Sequence, residues 1–360
     1  MTAQKILICL HDFSRGGTER IALGLAAGWA DMGRDVTILC GSMEGGLRQT
    51  LSPRVKVEEL RPPVRRGFFS RIRLARAMGE RLAALKPDVI FLPGNFHALL
   101  ANGLRAADPR PAIALKISNP PVPSGLPFAG TVFRHITSAV DGFAAMNSGL
   151  TRELEAMLPG RNIVTLNDPA YVRSHAAHAG RGNRNFLWIG RLEPQKDPLL
   201  ALKIMQALGP SARLTMLGDG TLRAEVERQV AALRLESRVK LMGHVSEIES
   251  YLAAADALLI TSRYEGGPAV AVEALAMDVP VVSTDCSYLL HDLLKTPESG
   301  RIVASRDAID LAAALLAVGG QQRAPEGLRD LAAPFEPKAR AKAYLDWFDR
   351  LTAMDKPAHG

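Results

Sequence analysis

The chain has 360 residues, of which 47% are hydrophobic, and it carries a formal net charge of +7 at pH 7. This length and composition exclude a disordered chain and are sufficient for two domains, each with its own core. The positive charge favours anionic partners such as nucleotides, nucleic acids or acidic lipid surfaces.

In the first half of the chain, short apolar and β-branched runs alternate with helical patterns. The runs that predict strands are KILICLHD, DVTILCGS, KVEELRP, PDVIFLPG, AIALKISN, DGFAAMN and NIVTLNDP. This alternation is typical of a parallel sheet with helices on both faces. The polar, glycine-bearing segment from Tyr171 to Asn185 then predicts a linker.

The same alternation restarts after the linker. Strands are predicted in NFLWIG, ARLTMLG, RVKLMGH, ADALLITS, VPVVSTD and SGRIVAS. A helix is predicted in SEIESYLAAA, where Ser246 and Glu249 have the spacing of a capping box. We therefore predict an α/β protein with two doubly wound, Rossmann-like domains, residues 1–175 and 184–334, that face each other across a cleft. A C-terminal amphipathic helix over residues 335–353 is expected to cross back and pack at their junction.

The cysteines do not indicate a disulfide framework or a zinc site, because Cys9, Cys40 and Cys286 lie far apart without C-x-x-C spacing. We expect a protein of the reducing cytoplasm. No uncharged apolar stretch is long enough for a membrane span, and the N-terminus does not resemble a cleaved signal peptide.

Several nucleotide-binding classes lack their signatures here. No G-x-G-x-x-G follows the first strand and no G-x-x-x-x-G-K-[ST] occurs, which argues against a dinucleotide dehydrogenase and a P-loop NTPase. There is also no D-x-D pair to clamp a metal. We expect neither a metal nor a cofactor.

The stretch RYEGGPAVAVEALAM predicts a strand, a turn and a helix. Glu265 ends the strand, Gly266 and Gly267 form the turn, and Pro268 suits the first helical position. Bare amides at a helix N-terminus suit a phosphate, because the helix dipole favours negative charge. Glu273, further along the helix, is suited to accept hydrogen bonds from ribose hydroxyls.

Two further segments indicate an anionic ligand. In GRLEPQKD, Arg191 and Lys196 follow a strand, where two cations can stabilise a diphosphate leaving group. In SRGGTER, Gly16 and Gly17 precede or begin a helix and can offer amides to an anion.

Together these motifs resemble the retaining glycosyltransferases of the GT-B type, specifically family 4. The resemblance covers most of the chain and is carried by EGGPAVAVE, GRLEPQK, LGDG at residues 217–220 and GGTER. It implies transfer of a sugar from a nucleotide-diphosphate sugar, with UDP favoured, to a glycan or a lipid-linked acceptor. It also implies retention of configuration, no metal, and a place in cell-surface polysaccharide or glycolipid synthesis.

The resemblance implies roles for individual residues. Arg191 and Lys196 would bind the diphosphate and stabilise its charge during catalysis, and Glu273 would bind the ribose. Glu265, with the amides of the two glycines that follow it, would contact the transferred sugar and its phosphate. In the acceptor-side domain, the Gly16–Gly17 pair would approach the diphosphate, and His97 in LPGNFHALL matches a histidine placed near the sugar.

The chain departs from the family pattern after this helix. Met277 and Asp278 stand where a small residue and a glycine are usual, and CSYLLHD follows the next strand instead of a glycine-rich turn. The choice of base is therefore left open. His244, after the strand in RVKLMGH, is assigned a structural role.

Two alternatives remain from the sequence alone: a catalytically silent scaffold that binds a nucleotide sugar, and a two-domain sugar-nucleotide epimerase. The basic segment 61–76, with Phe68 and Phe69, could dock on an anionic membrane at its inner face, or form a solvated helix face. No nucleic-acid partner is expected, since no basic recognition helix or aromatic-interleaved sheet is present.

Overall fold

A computed structural model of the chain describes residues 2–14, 16–67, 69–120, 129–170, 182–245, 247–319 and 327–354. The chain divides into two compact units, Met1–Pro169 with Pro337–Gly360, and Ala170–Glu336. Each unit contains one parallel sheet with helices on both faces. This confirms the predicted α/β class with two Rossmann-like halves.

The sheet of the first unit has the strand order β3-β2-β1-β4-β5-β6-β7, and all neighbours are parallel. The strands are β1 (Lys5–Leu10), β2 (Asp35–Cys40), β3 (Lys56–Glu59), β4 (Val89–Leu92), β5 (Ala112–Ile117), β6 (Gly142–Ala145) and β7 (Asn162–Thr165). Every side chain of β4 and β5 is buried. Near-continuous apolar runs are expected of parallel strands covered on both faces. All seven segments were predicted from the sequence.

Helices cover both faces of this sheet. They are α1 (Gly17–Asp31), α2 (Ser70–Leu85), α3 (Ala101–Ala107), α4 (Ala129–Ile136) and α5 (Ser148–Met157), with 3₁₀ helices at Gly46–Thr50 and Asn95–Leu100.

The sheet of the second unit has the order β10-β9-β8-β11-β12-β13 and is also parallel. Its strands are β8 (Asn185–Ile189), β9 (Arg213–Leu217), β10 (Val239–Gly243), β11 (Ala257–Ile260), β12 (Val281–Thr284) and β13 (Gly300–Val303). Its helices are α6 (Pro198–Ala207), α7 (Arg223–Ala232), α8 (Glu249–Ala253), α9 (Ala269–Ala276), α10 (Tyr288–Leu293), α11 (Ala308–Gly319) and α12 (Leu328–Ala332), followed by a 3₁₀ turn at Ala333–Phe335.

Most boundaries agree with the predictions within a few residues. Asn185, assigned to the linker, is already the first residue of β8. The rest of the linker falls largely on residues 171–181, outside the described residues, as does Ser246 of the predicted capping box. Glu249 is the first residue of α8.

The last helix, α13 (Pro337–Ala353), belongs to the first unit. Trp29 of α1 donates its indole N–H to the carbonyl oxygen of Ala341 at 3.1 Å. The rings of Trp29 and Phe348 lie 5.1 Å apart in an edge-to-face arrangement, the geometry that aromatic pairs prefer. The amphipathic pattern of α13 therefore buries an aromatic face on α1, and the chain returns to the first unit at this helix. Its packing at the junction of the two domains stays a prediction.

Both sheets reverse their strand order at one point. In the first sheet β1 lies beside β4, and in the second β8 lies beside β11. Ligands of doubly wound folds bind beyond the carboxyl ends of the strands at such a switch point. Of the helices in the described ranges, none combines the length and apolar character needed to cross a membrane.

Candidate functional site

A partly buried ion pair lies at the switch point of the second unit. Lys196, in the turn after β8, pairs its ammonium with Oε1 of Glu265, in the turn after β11. The hydroxyl of Ser262 donates to the same carboxylate oxygen at 2.6 Å. The Lys196 and Glu265 side chains are only 19% and 10% exposed. The structure thus joins two residues that are 69 positions apart in sequence and that were singled out separately.

Thr261 holds the turn of Lys196 in place. Its buried hydroxyl accepts a hydrogen bond from the indole of Trp188 at 2.9 Å. The same hydroxyl lies 2.8 Å from the carbonyl oxygen of Lys196 and 2.9 Å from that of Asp197, and donates its single hydrogen to them. Because these partners are buried, losing one would leave a polar group unsatisfied, which costs about 1–3 kcal/mol. The backbone under Lys196 is therefore fixed.

Asp197 ties the same turn to its surroundings. It has φ 47° and caps α6, where its side chain accepts from the amide of Leu200 at 3.3 Å. Its carboxylate also pairs with Arg263 and Arg306, each at 2.8 Å. Two arginines around one carboxylate make Asp197 a structural anchor beside Lys196.

The LGDG motif has a clear packing role. A Cβ on Gly218 would lie 1.8 Å from the carbonyl oxygen of Gly190, and φ at Gly218 is +132°. Only glycine fits both restrictions. The amide of Leu192 donates to the carbonyl of Asp219 at 2.9 Å, so the turn after β9 supports the turn that carries Arg191.

Arg191 itself is exposed. Its guanidinium donates to the Gln195 side chain at 3.4 Å, and Gln195 donates to the carbonyl oxygen of Tyr264 at 3.0 Å. Arg191 therefore lies on the same pair of turns as Lys196 and Glu265. An exposed arginine and a half-shielded lysine can together neutralise a diphosphate.

The helix after Glu265 begins one residue later than predicted. Pro268 is the N-cap, and α9 starts at Ala269 without a side-chain cap. Glu273, the fifth residue of α9, is partly buried. Gly266 accepts a hydrogen bond at its carbonyl oxygen from Ser287 at 3.4 Å, and Gly267 is half-buried beside it. The strand-turn-helix reading of this motif is otherwise what the structure shows.

The unusual residues after α9 are accommodated by specific contacts. Met277 is buried in the core at 1% exposure. Asp278 adopts φ 58°, a left-handed conformation that glycine favours, and pairs with Arg329 of α12 at 2.7 Å. Cys286, the first residue of CSYLLHD, accepts the amide of Glu265 at 2.7 Å. This segment thus supports the turn that carries Glu265.

The first unit has a pocket of about 360 Å³ at its own switch point. It is lined mainly by the turn after β1, the start of α1, the start of α2 and the 3₁₀ helix after β4. Gly16, Gly17 and His97, which the sequence singled out, all line it, together with His11, which it did not. His244, in contrast, is an exposed residue at the end of β10 in the other unit.

His11 and His97 are buried, at 8% and 7% exposure. No described residue hydrogen-bonds either ring nitrogen of His11 or Nδ1 of His97. Burial lowers the pKa of His97 to about 4, and burial together with the charge of Arg66 lowers the pKa of His11. At neutral pH His97 is therefore an uncharged imidazole that can both donate and accept, which matches a hydroxyl better than an anion.

A charged network forms the floor beside the two histidines. Arg66 pairs with Asp12 and, at 3.1 Å, with Glu19. Burial would raise the pKa of Asp12, but hydrogen bonds from Arg66 and Ser14 outweigh it and lower the pKa to about 2. Arg66 thus offsets part of the negative charge of the two acids.

The glycines of GGTER differ in their surroundings. The amide of Gly16 donates to the carbonyl oxygen of Ser14 at 2.8 Å. A Cβ on Gly16 would lie 2.1 Å from a carboxylate oxygen of Glu19, whereas a Cβ on Gly17 would meet nothing within 4 Å. Gly16 therefore makes room for Glu19, and Gly17 leaves open space toward the pocket.

His11, Asp12 and Ser262 were missed from the sequence, and Arg66 was singled out only as part of the basic segment 61–76. His11 and Asp12 could have been found from the sequence, since they directly follow β1, where ligands of doubly wound folds bind. Arg66 and Ser262 gave no separate signal, because their importance depends on partners far away in the sequence.

Two family models match the chain. The model described as glycosyl transferases group 1 matches residues 175–329, and the glycosyl transferase 4-like domain matches residues 16–166.

Among curated proteins, a similar one is the Campylobacter jejuni GalNAc-α-(1→4)-GalNAc-α-(1→3)-diNAcBac-PP-undecaprenol α-1,4-N-acetyl-D-galactosaminyltransferase. It is 32% identical over 130 residues, which cover 35% of this chain and 36% of that protein. The chain spans 28% to 55% of the length of the first curated relatives that it matches.

Solved structures show the same fold over nearly the whole chain. The apo lipopolysaccharide outer core galactosyltransferase WaaB has a TM-score of 0.79 at 18% identity, covering 94% of this chain and 98% of that one. HepE of Anabaena, in complex with UDP and glucose, has a TM-score of 0.71 at 16% identity, covering 97% and 98%. With both halves matched by glycosyltransferase models and this two-domain architecture, the chain belongs to the group 1 glycosyltransferases of the GT-B fold.

Proposed function

We propose that the chain transfers a sugar from a nucleotide-diphosphate sugar to a glycan or lipid-linked acceptor in cell-surface polysaccharide or glycolipid synthesis. The observation that carries this proposal is the placement of Arg191, Lys196 and Glu265 on the two turns at the switch point of the second unit. HepE, bound to UDP, supports UDP as the nucleotide. The three cysteines, all buried and unpaired, support a reducing compartment such as the cytoplasm.

Lys196 and Arg191 are proposed to bind the diphosphate and to stabilise it as it leaves. The bond between the anomeric carbon and the phosphate oxygen breaks, and a bond to the acceptor hydroxyl oxygen forms on the same face of the sugar. The acceptor proton passes to the leaving phosphate, so configuration is retained without a carboxylate nucleophile. One well-placed donor to developing charge contributes roughly 3–4 kcal/mol, and two cations provide this without a metal.

Glu265 is proposed to have two roles. Without a donor it neutralises the partly buried ammonium of Lys196, with which it pairs. With the donor bound, its carboxylate and the adjacent amides of Gly266 and Gly267 contact the sugar and its phosphate. Glu273, partly buried in α9, is proposed to accept hydrogen bonds from the ribose.

The pocket of the first unit is proposed to bind sugar hydroxyls. His97, with its lowered pKa, and His11 present buried ring nitrogens to it, and Gly17 leaves space for the diphosphate to approach. The acceptor class is supported by the Campylobacter jejuni relative, whose name includes a PP-undecaprenol-linked glycan.

The experiment that tests the donor site is a thermal-shift panel with UDP-, GDP-, ADP- and CMP-sugars. We expect one nucleotide class to stabilise the wild type by about 2.7 kcal/mol at a hundred times its dissociation constant. Arg191→Ala and Glu273→Ala should lose this response. Lys203→Ala, which removes an exposed lysine of α6 in the same unit, should keep it.

Transfer is tested separately, by following release of the nucleotide and the anomeric configuration of the product by NMR. A product with inverted configuration, or loss of activity on chelation with EDTA, would contradict the proposed mechanism. Binding of a nucleotide sugar without turnover on any glycan or lipid acceptor would favour the scaffold instead. Interconversion of free nucleotide sugars would favour the epimerase.

A further inference from the structure

Large apolar side chains are exposed on two segments that contribute to the first-unit pocket. Phe69 and Ile72, at the start of α2, are 63% and 72% exposed, and Phe96 and Leu99, in the 3₁₀ helix Asn95–Leu100, are 72% and 44% exposed. Each pair is three residues apart, so its members lie on one side of their helix. Exposed apolar groups gathered in this way mark interaction surfaces.

The two segments meet at the pocket. Arg71 and Phe96 both line it, and the Arg71 guanidinium lies 5.2 Å from the centroid of the Phe96 ring. Phe69, Ile72 and Leu99 lie within three residues of these two lining residues, so the exposed apolar side chains lie on the two segments that border the pocket. We define the mouth surface as Phe69, Ile72, Phe96 and Leu99 with Arg71 and Arg73.

The mouth surface is basic as well as apolar. The first turn of α2 contains no acid. Within the basic segment predicted from the sequence, Arg65 and Arg66 pair with carboxylates of their own unit, and Arg76 lies 3.6 Å from Glu80. Arg71 and Arg73 make no ion pair with any residue in the described ranges. Arg71 and Arg73 are thus cations that are available to a partner next to the exposed apolar side chains.

We propose that the mouth surface docks on an anionic phospholipid bilayer, so that the pocket opens toward the membrane. Arginines beside aromatic and aliphatic side chains match the interface of such a bilayer, with the apolar groups inserted among the acyl chains and the guanidinium groups on the headgroup phosphates. This narrows the sequence prediction, because Arg66 is paired with Asp12 and Glu19 of its own unit. The 3₁₀ helix after β4 contributes half of the apolar groups.

Docking has a consequence for the acceptor that rests on the proposed function. A lipid-linked sugar would leave its chain in the bilayer and place its sugar hydroxyls at His11 and His97, a few side chains from the surface. A free glycan would gain nothing from this arrangement. The structure thus favours the lipid-linked member of the two acceptor classes.

The chain offers a matched control for the apolar part. Ile309 of α11 is 70% exposed, nearly the same as Ile72, but it stands in the second unit between Asp307 and Asp310. Ile72→Ser and Ile309→Ser remove the same exposed apolar side chain, the first from basic surroundings and the second from acidic surroundings. Since both sites are exposed, neither change should alter the melting temperature.

The test is co-sedimentation of the full chain, without donor, with vesicles of phosphatidylcholine alone or mixed with phosphatidylglycerol. We expect binding only to the mixed vesicles. Ile72→Ser and Phe69→Ser should each weaken it about tenfold, the effect of removing a buried apolar side chain. Arg73→Gln should weaken it about fivefold, and Ile309→Ser should leave it unchanged.

Each other outcome overturns the proposal. Three of these outcomes concern vesicles: equal binding to neutral and mixed vesicles, unchanged binding of Ile72→Ser, or a loss of binding in Ile309→Ser as large as in Ile72→Ser. The fourth is a dimer that forms without lipid and that Ile72→Ser dissociates, because the surface would then be a contact between two copies of the chain. The thermal shift with UDP, measured on the same variants, reports the donor site separately. A wild type that responds to UDP but ignores vesicles refutes docking and leaves the proposed transferase function intact.

Discussion

Removing the charge of Glu265 should weaken the free protein and strengthen nucleotide binding. Glu265→Gln keeps the volume of the side chain and an oxygen that can accept from Ser262, but it leaves the partly buried ammonium of Lys196 without its counter-ion. Breaking one partner of a buried pair costs about 3–5 kcal/mol. Because the two side chains retain 19% and 10% exposure, we expect the lower end, about 3 kcal/mol, which corresponds to roughly 6–12 °C in melting temperature for a unit of this size.

The same change should tighten UDP binding by about tenfold, or 1.4 kcal/mol, because the diphosphate no longer competes with a carboxylate for Lys196. Lys196→Met should also destabilise the free protein, but it should weaken UDP binding by roughly 10- to 100-fold, the effect of losing a charged hydrogen-bond donor. Turnover should fall in both variants. The two substitutions should therefore change UDP affinity in opposite directions. A purely structural ion pair would not produce this difference, whereas a pair that binds the ligand would.

The assays are chemical denaturation followed by circular dichroism, and UDP titration by calorimetry. Glu227→Gln provides the control, since Glu227 pairs with Arg223 on the surface of α7 with 51% exposure, and such pairs contribute at most about 1 kcal/mol. The double variant Lys196→Met/Glu265→Gln should recover most of the lost stability. The reasoning is refuted if Glu265→Gln unfolds like Glu227→Gln, or if it weakens UDP binding as Lys196→Met does.

Three further predictions concern single positions. Gly17→Ala should leave the fold intact, since a Cβ there meets nothing within 4 Å, and should lower UDP-sugar turnover if the diphosphate approaches at this point; an unchanged KM and kcat would remove Gly17 from the site. Burial lowers the pKa of His97 to about 4. The contribution of neutral His97 to the free energy of unfolding is therefore complete above about pH 6.5 and is lost as the pH falls toward 4, by about 3 kcal/mol in total. Urea denaturation of His97→Gln should show a flatter dependence of stability on pH in this window, and a slope equal to that of the wild type would disprove the assignment. Gly218→Ala should cost more than about 3 kcal/mol, because its Cβ would lie 1.8 Å from the Gly190 carbonyl oxygen; Gly209→Ala, with no atom within 4 Å, should unfold at the wild-type urea concentration, and equal behaviour of the two would contradict the packing argument.

The motif from Glu265 to Glu273 shows how much of a site can be predicted from neighbouring residues alone. Glu265, the two glycines, Pro268 and Glu273 follow one another within nine residues, and local chemistry is enough to predict a strand, a turn and a helix there. The structure moves the helix start by one residue, to Ala269. It also shows why Asp278 can replace the usual glycine, since a left-handed aspartate is held by Arg329. That arginine lies 51 residues away, so the compensation has no local signature.

The first-unit pocket shows the opposite case. Each of its chemical groups is ordinary when read in the sequence: a histidine after a strand, an arginine in a basic run, and a glutamate on the first turn of a helix. Their significance comes from the pairing of Arg66 with Asp12 and Glu19. The basic run looked uniform, but contacts across 47 to 54 residues pair Arg66 with two acids of its own unit, whereas Arg71 lines the pocket without an ion pair to the described residues.

The sequence by itself determined the strands that the structure shows in the described ranges, the doubly wound class, and the motifs around Arg191, Lys196, Glu265 and Glu273. These features depend on residue periodicity and on turn chemistry, both of which act over a few neighbouring residues. The tertiary structure alone decided that Lys196 pairs with Glu265, that His11 joins His97, and which exposed side chains surround the pocket. Parallel strands bring the ends of distant segments together at one edge of a sheet, and no local pattern records which residues will meet there.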